Sequence, residues 1–230
     1  MSESHEGLDF STVIASTVHD MKNSLAMLTQ AHGQWQARLP DAQRETPEHS
    51  VIEYEFAHLN TMLVQLLGLY KLGVNQLPLR PDYHEMDDFI GAQLAGRQEL
   101  LSSRGIVASC EVGDFSPLGF FDRELISSVV GNIITNAIGY ACHALLVSVH
   151  EEGEQLVLTI NDDGPGYPEQ MVERQADYVQ GINATTGSTG LGLYFAARIA
   201  GLHERNGVRG RIEIANGGTL GGALFRLYLP

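Results

Sequence analysis

Two heptad runs in the first third of the chain constrain its fold more than anything else in it. Ile14, Val18, Met21, Leu25, Leu28, His32, Trp35 and Leu39 follow one another at intervals of 4, 3, 4, 3, 4, 3 and 4. Ile52, Phe56, Leu59, Leu63, Leu66 and Tyr70 repeat the pattern at 4, 3, 4, 3 and 4. Such spacing predicts helices with an apolar seam. The first should span residues 8–39 and stop at Pro40, which lacks the N–H a helix needs. Residues 40–48, with Pro40 and Pro47, read as a turn, and the second helix runs out near Gly73. Two helices joined by a short turn form an antiparallel hairpin. A hairpin cannot cover both stripes alone, so a second copy is expected to complete a four-helix bundle, with the homodimer contact inside residues 8–73.

Leu77-Pro78-Leu79-Arg80-Pro81 reads as a stiff linker, beyond which the texture changes. Helices are expected over Met86–Ser103, Asp122–Tyr140 and Leu191–His203. Strands are expected over Ile106–Val112, Ala144–His150, Gln155–Asn161, Arg211–Ala215 and Ala223–Leu229, with Glu151–Glu154 turning one strand pair. The elements lack a regular βαβ rhythm, which favours a two-layer α/β sandwich and an α+β chain as a whole. The division is residues 1–77 for the hairpin and 78–230 for the sandwich.

The formal net charge is −14, with two lysines beside twelve arginines. So acidic a chain repels nucleic acid and anionic lipid, so no nucleic-acid partner is expected. The polar N-terminus and the lack of an apolar run near 18 residues give no signal peptide and no membrane insertion. Cys110 and Cys142 have no metal-ligand spacing and are expected to be buried thiols in a reducing cytoplasm.

Four stretches carry polar chemistry. His19-Asp20-Met21-Lys22-Asn23 lies on the first helix. With Val18 and Met21 inward, His19 and Asn23 share an outward face, where such residues are ordinarily just solvated. Asn132 and Asn136 are four apart on the helix Asp122–Tyr140, beside an apolar stripe of Leu125, Val129, Ile133 and Ala137. Asn136 could meet a hard cation such as Mg²⁺, although mid-helix asparagines often bond locally. Asp162-Asp163-Gly164-Pro165-Gly166 follows a strand and, alone, reads as a turn. Gly187-Ser188-Thr189-Gly190-Leu191-Gly192-Leu193 opens a helix whose free N–H groups suit phosphate. It has neither the Lys-Ser/Thr of a P-loop nor the context of a dinucleotide fingerprint.

In this order the four stretches resemble the core of a two-component sensor histidine kinase. HDMKNSL is similar to the H box, NIITNA to the N box, DDGPGYP to the first G box and GSTGLGLYFA to the second. The resemblance covers roughly residues 10–230. It implies a dimerisation and histidine-phosphotransfer hairpin followed by an ATPase domain of the GHKL superfamily. It further implies ATP and Mg²⁺ as cofactors, and a response-regulator receiver domain as partner. His19 would accept phosphate, Asp20 would assist by taking a ring proton, and Asn23 would orient water when the regulator is dephosphorylated. Asn132, Asn136 (on Mg²⁺), Tyr140, Asp162, Gly164, Gly166, Gly187, Gly190, Leu191 and Gly192 would bind the nucleotide. Lys22, Ser24 and Gln30 lie where a regulator would dock.

The chain departs from the family pattern at Gly139, where a phosphate-contacting cation is usual; Arg174 or His143 would have to substitute. Asp163 replaces the usual Asn and adds a negative charge near the nucleotide. The lid, Glu169–Thr186, is short, and Tyr178 stands in for its usual phenylalanine. With no sensor preceding the hairpin, the chain is expected to take its signal from a separate sensor protein or to be the core of a longer one. The alternatives are a phosphatase or phosphotransferase on the same scaffold with weak or absent kinase activity, a non-catalytic dimeric adaptor, and a protein-serine kinase of the same superfamily.

Overall fold

The computed structural model describes residues 10–40, 46–74, 76–113, 117–180 and 190–230; the side chains of 10–15, 47 and 178–180 also lie outside the description. Helix α1 spans Phe10–Gln36 and α2 spans Pro47–Gly73. The second starts as its sequence dictates: Thr46 caps it by accepting from the His49 N–H, and Pro47 sits where its missing N–H costs nothing. The two pack side by side. Val18 and Leu25 are buried between them, whereas Met21, Leu28 and Trp35 remain 51–57% exposed. Ile52, Leu59 and Leu66 on α2 are exposed as well. One heptad position thus closes the hairpin, and the other, recurring every seven residues, stays open. At the turn end His32, Trp35, His49 and Phe56 form a ring cluster, edge-to-face except for the tilted His32–Trp35 pair.

Beyond the linker come β1 (Asp82–Glu85), α3 (Met86–Ala95), α4 (Gln98–Ser103), β2 (Val107–Glu111), β3 (Leu118–Phe121) and α5 (Arg123–Tyr140). Then follow β4 (Ala144–Glu152), β5 (Gln155–Asp162), α6 (Glu169–Glu173), α7 (Gln175–Gln180) and α8 (Leu191–Ala200). The short β6 (Glu204–Arg205) and β7 (Val208–Arg209) precede β8 (Arg211–Asn216) and β9 (Ala223–Leu229). Five strands form one sheet in the order β2-β4-β5-β9-β8, parallel only between β2 and β4. Helices α5 and α8 cover it, making the expected two-layer sandwich around Phe89, Phe121, Ile126, Ile134, Leu158, Phe195 and Phe225. β5 is central, buried from Leu156 to Asp162, which explains its nearly continuous apolar sequence.

Several boundaries differ from expectation. The helix expected over 86–103 breaks at Gly96-Arg97. The break lets the Arg97 guanidinium reach the Gly131 carbonyl and Thr135 Oγ1 on α5. β1 pairs with β3, and β6 with β7; these pairs are too short to show a period in sequence. Cys110 and Cys142 are free and exposed rather than buried, Cys110 lying on the edge strand β2 and Cys142 in the bend between α5 and β4. The linker is anchored, since the Arg80 N–H donates to Asp122 Oδ2 at 2.8 Å. No helix among the described residues is long and apolar enough to cross a membrane.

Candidate functional site

The expected residues fall into two groups. The first lies on the exposed face of α1. The side chains of His19 and Asp20 are 66% and 76% exposed, so the outward register holds. Asn23 Nδ2 lies 3.3 Å from His19 Nδ1, one helical turn away. Asp20 Oδ1 lies 3.6 Å from the same nitrogen. Adjacent residues on a helix are about 100° apart, yet the Asp20 carboxylate reaches round to the ring. Both polar neighbours gather at Nδ1, and Nε2 has no partner among the described residues. Lys22, Ser24 and Gln30 are exposed on the same helix.

The second group lies where α5, the β5 end and α8 meet. Asp122 starts α5, accepting from the Glu124 and Leu125 N–H groups at 3.1 Å. The stripe of Val129, Ile133 and Ala137 points into the core as expected. Asn132 is buried and Asn136 partly exposed, on one face of the helix. Asn132 Nδ2 is a buried donor without a hydrogen-bond partner. A buried, unpaired donor costs about 1–3 kcal/mol, so it fits a site meant to receive an acceptor. Tyr140, at the C-terminal end of the helix, is 65% exposed.

Asp162 ends β5 almost fully buried. Its Oδ1 accepts from Gly164 N at 2.8 Å and Ala223 N at 3.1 Å, and no described residue bonds Oδ2. Burial pushes its carboxyl above the usual range, against the pull of those two N–H groups. The free Oδ2 can accept from an exocyclic amine. Glycine is required at Gly164, where a Cβ would run onto the Tyr140 carbonyl oxygen, 3.0 Å from its carbonyl carbon. At Gly166 φ is +82°, and a Cβ would lie 2.7 Å from Asn216 Oδ1. Gly190 caps α8 in the left-handed conformation. A Cβ at Gly192 would come 2.8 Å from Asn132 Nδ2, so the second G box and the N box touch. Leu191 begins α8. Gly187 lies outside the described residues.

Some departures are resolved differently from expectation. Asp163 does not add its charge to an open site: its carboxylate accepts from the Cys142 and His143 N–H groups, fastening the end of α5 to the sheet. Those bonds outweigh burial and hold its carboxyl below the usual range. Neither proposed substitute cation is unengaged. Arg174 pairs with Asp177 at 2.7 Å, and His143 lies 3.6 Å from Asp163. The lid's first part is helical (α6 and α7), but Tyr178's side chain and residues 181–189 lie outside the description.

Three site residues were missed by sequence reasoning. Asn161 bridges Gly217 and Ala223 through Nδ2 and receives the Leu220 N–H on Oδ1. Gly222 packs against Asp162, where a Cβ would lie 2.6 Å from Oδ1. Tyr167, whose phenol is pushed up by burial and then by the Asp162 charge, exchanges two hydrogen bonds with Asn216. Only Tyr167 had a local signal, as the aromatic inside the stretch DDGPGYP.

Among the described residues no three His, Cys, Asp or Glu side chains gather to hold a metal. Asn136 would be a lone protein oxygen. That fits Mg²⁺, which keeps water and phosphate as most of its shell. The unpaired N–H groups nearby suit phosphate rather than metal.

Comparison with known proteins agrees with this geometry. Residues 121–230 match the family model for histidine kinase-, DNA gyrase B-, and HSP90-like ATPases. The sensor histidine kinase YkoH of Bacillus subtilis is 29% identical over 192 residues, covering 80% of this chain and 41% of that protein. The sensor-like histidine kinase SenX3 of Mycobacterium tuberculosis is 24% identical over 226 residues, 94% of this chain and 53% of that one. The chain therefore spans about half or less of these relatives. Among solved structures, histidine kinase AdeS of Acinetobacter baumannii aligns over 92% of this chain and 96% of its own, with TM-score 0.57 and 20% identity. Full-length ShkA in complex with AMPPNP aligns over 95% of this chain and 45% of its own, with TM-score 0.64 and 18% identity. Residues 121–230 thus match the histidine kinase-, DNA gyrase B- and HSP90-like ATPase family model, and with the hairpin before them they have the fold of a two-component histidine kinase core.

Proposed function

We propose that the chain is an ATP-dependent protein-histidine kinase that phosphorylates His19 and passes the phosphate to an aspartate of a response-regulator receiver domain. The observation that carries this reading is His19 itself: exposed, with the Asp20 carboxylate 3.6 Å from Nδ1 to take its proton and Nε2 open. Nε2 attacks the γ-phosphorus of ATP, the N–P bond forms, and the bond to the β,γ-bridging oxygen breaks to release ADP. The Nδ1 proton passes to Asp20, which keeps the imidazole from accumulating charge. Phosphoryl transfer asks the protein for positioning and neutralisation more than for covalent help. Asp162 Oδ2 receives the adenine amine, with Gly164 and Gly166 keeping the ring's approach clear. Asn132, Tyr140, Gly187, Gly190, Leu191 and Gly192 surround the phosphates. Asn136 would hold Mg²⁺, which when bound offsets phosphate charge.

The working unit is a homodimer. The open heptad rows Met21–Leu28–Trp35 and Ile52–Leu59–Leu66 support this, being apolar and uncovered in one copy. Residues 1–77 form the dimerising and phosphotransfer module and 78–230 the catalytic one, working in the cytoplasm. The regulator docks beside His19 on Lys22, Ser24 and Gln30, and a separate sensor protein supplies the signal. The test is incubation with γ-labelled ATP: the wild-type chain takes up acid-labile, base-stable label, and Asn136→Ala loses it. Labelling of His19→Ala equal to wild type would refute the assignment.

A second reading has a specific observation behind it. Asn23 stands within 3.3 Å of the ring, placed to orient a water, while Gly139 offers no cation to phosphate. The chain would then mainly dephosphorylate its regulator. Comparing loss of phosphate from a phosphorylated regulator with wild type and Asn23→Ala separates the two; fast loss that requires Asn23, without self-labelling, favours the phosphatase.

A further inference from the structure

The face of α5 that bears Asn132, Asn136 and Gly139 is covered by a helix of the hairpin. Positions i, i+4 and i+7 lie along one helical stripe, and α2 packs against both α5 and α8. At one end Gln65 of α2 is buried, and its Nε2 has no hydrogen-bond partner. It lies beside Asn132, since both amides approach the same point over Gly192, at 3.6 and 2.8 Å from a Cβ placed there. At the other end Tyr54 lies over Gly139, where a Cβ would meet the ring 2.5 Å from Cζ. The stretch of α2 from Tyr54 to Gln65 therefore runs antiparallel across the stretch of α5 from Asn132 to Gly139.

The fit depends on missing side chains. Gly139 leaves the hole that Tyr54 fills; any larger residue there, including the cation usual in the family, would push the ring out. Gly68 plays the same part in reverse: a Cβ there would lie 2.7 Å from Phe195 Cε2 of α8. Tyr54, Ala57 and Leu69 pack on the catalytic core. The ring of Tyr54 is clamped further, with the Arg104 guanidinium 4.9 Å above it and His58 stacked at 5.8 Å. Burial raises its phenol's pKa.

We infer that α2 and the nucleotide phosphates compete for the Asn132–Asn136–Gly139 face, with Tyr54 seated on Gly139 as the contact that holds the helix down. This rests on the reading that the face binds phosphate. It assigns Gly139 a use: the position exchanges a phosphate contact for a docking socket. A chain with α2 docked binds nucleotide only in its undocked fraction, so apparent affinity is lowered by that fraction.

The test pairs two measurements on the full chain. Hydrogen exchange without nucleotide reports docking over residues 54–68, and calorimetry with Mg²⁺ and AMPPNP reports binding. Tyr54→Ala removes the ring, Gly68→Leu pries the helix from Phe195 without touching the phosphate face, and Tyr54→Phe keeps the ring. The first two should speed exchange over 54–68 and tighten the nucleotide dissociation constant by about fivefold or more, as expected when a competing state is removed. Tyr54→Phe should stay within about twofold of wild type on the same grounds. Unchanged exchange in both opened variants overturns the docking. Faster exchange with equal or weaker binding overturns the competition while leaving the nucleotide site intact. Absence of binding in every chain refutes the nucleotide reading itself and the competition with it.

Discussion

A single added methyl group separates the residues that shape this site from those that merely line it. At Gly164 a Cβ would strike the Tyr140 backbone carbonyl, which cannot rotate away. Gly164→Ala should therefore cost about 1–3 kcal/mol, the range for overpacking, and displace the loop that holds Asp162. The expected outcome is a lower thermal midpoint together with weaker nucleotide binding. A second residue-scale prediction concerns His203, which is 2% exposed. Its Nδ1 donates to the Ile199 carbonyl at 2.9 Å, and its Nε2 accepts the Asp122 N–H at 3.0 Å, so it is held neutral. Burial lowers its pKa below the ordinary 6.5. The unfolded chain then binds the proton more readily, so this contribution is complete above pH 6.5 and is lost as pH falls through that value towards the folded pKa. Urea unfolding at pH 7.5 and 5.5 should show a larger loss for wild type than for His203→Gln.

Asp122 shows how one element is tied to its neighbours. Its side chain caps α5 through Glu124 and Leu125, and its other oxygen takes the Arg80 N–H of the linker. Asp122→Ala should cost about 1–2 kcal/mol for the cap alone, measured as a lower urea midpoint. Elements that bury a long apolar face, such as α5, β5 and β9, could be read from sequence to within a residue or two. The motifs likewise put Asn132 and Asn136 on α5, Asp162 at the end of β5 and Gly190 at the start of α8, because each motif lies within one turn or helix. The break at Gly96-Arg97 could not be read, since the contact it serves is made by a guanidinium with an element 34 residues away. Asn161 and Gly222 were illegible for the same reason: their partners lie about 60 residues off in sequence. Cys110 and Cys142 went wrong because composition gives a tendency to burial and does not show that one lies on an edge strand and the other in a bend.

At the scale of the molecule the hairpin uses its apolar side chains in three ways: Val18 and Leu25 close the hairpin, Tyr54, Ala57 and Leu69 pack on the sandwich, and the row with Met21, Leu28 and Trp35 stays open. Leu28, 57% exposed in the middle of the open row, is the place to test the homodimer. Leu28→Glu should leave the fold intact and turn a dimer into a monomer in sedimentation equilibrium; an unchanged mass would move the interface elsewhere. The same change should leave nucleotide affinity alone, because Leu28 lies on α1 and the phosphate face is met by α2. The heptads announced an apolar row that one copy leaves exposed, whereas the docking of α2 on α5 was invisible, since it turns on a tyrosine and a glycine 85 residues apart.

The central claim is that ATP phosphorylates His19, and the most direct measurement is site mapping of the phosphate. The chain is incubated with γ-labelled ATP and Mg²⁺, digested at neutral pH, and the labelled peptide is sequenced by mass spectrometry. The account predicts one phosphohistidine, at His19, absent from His19→Ala and from Asn136→Ala. Label on another residue, or label that persists undiminished in His19→Ala, would contradict it.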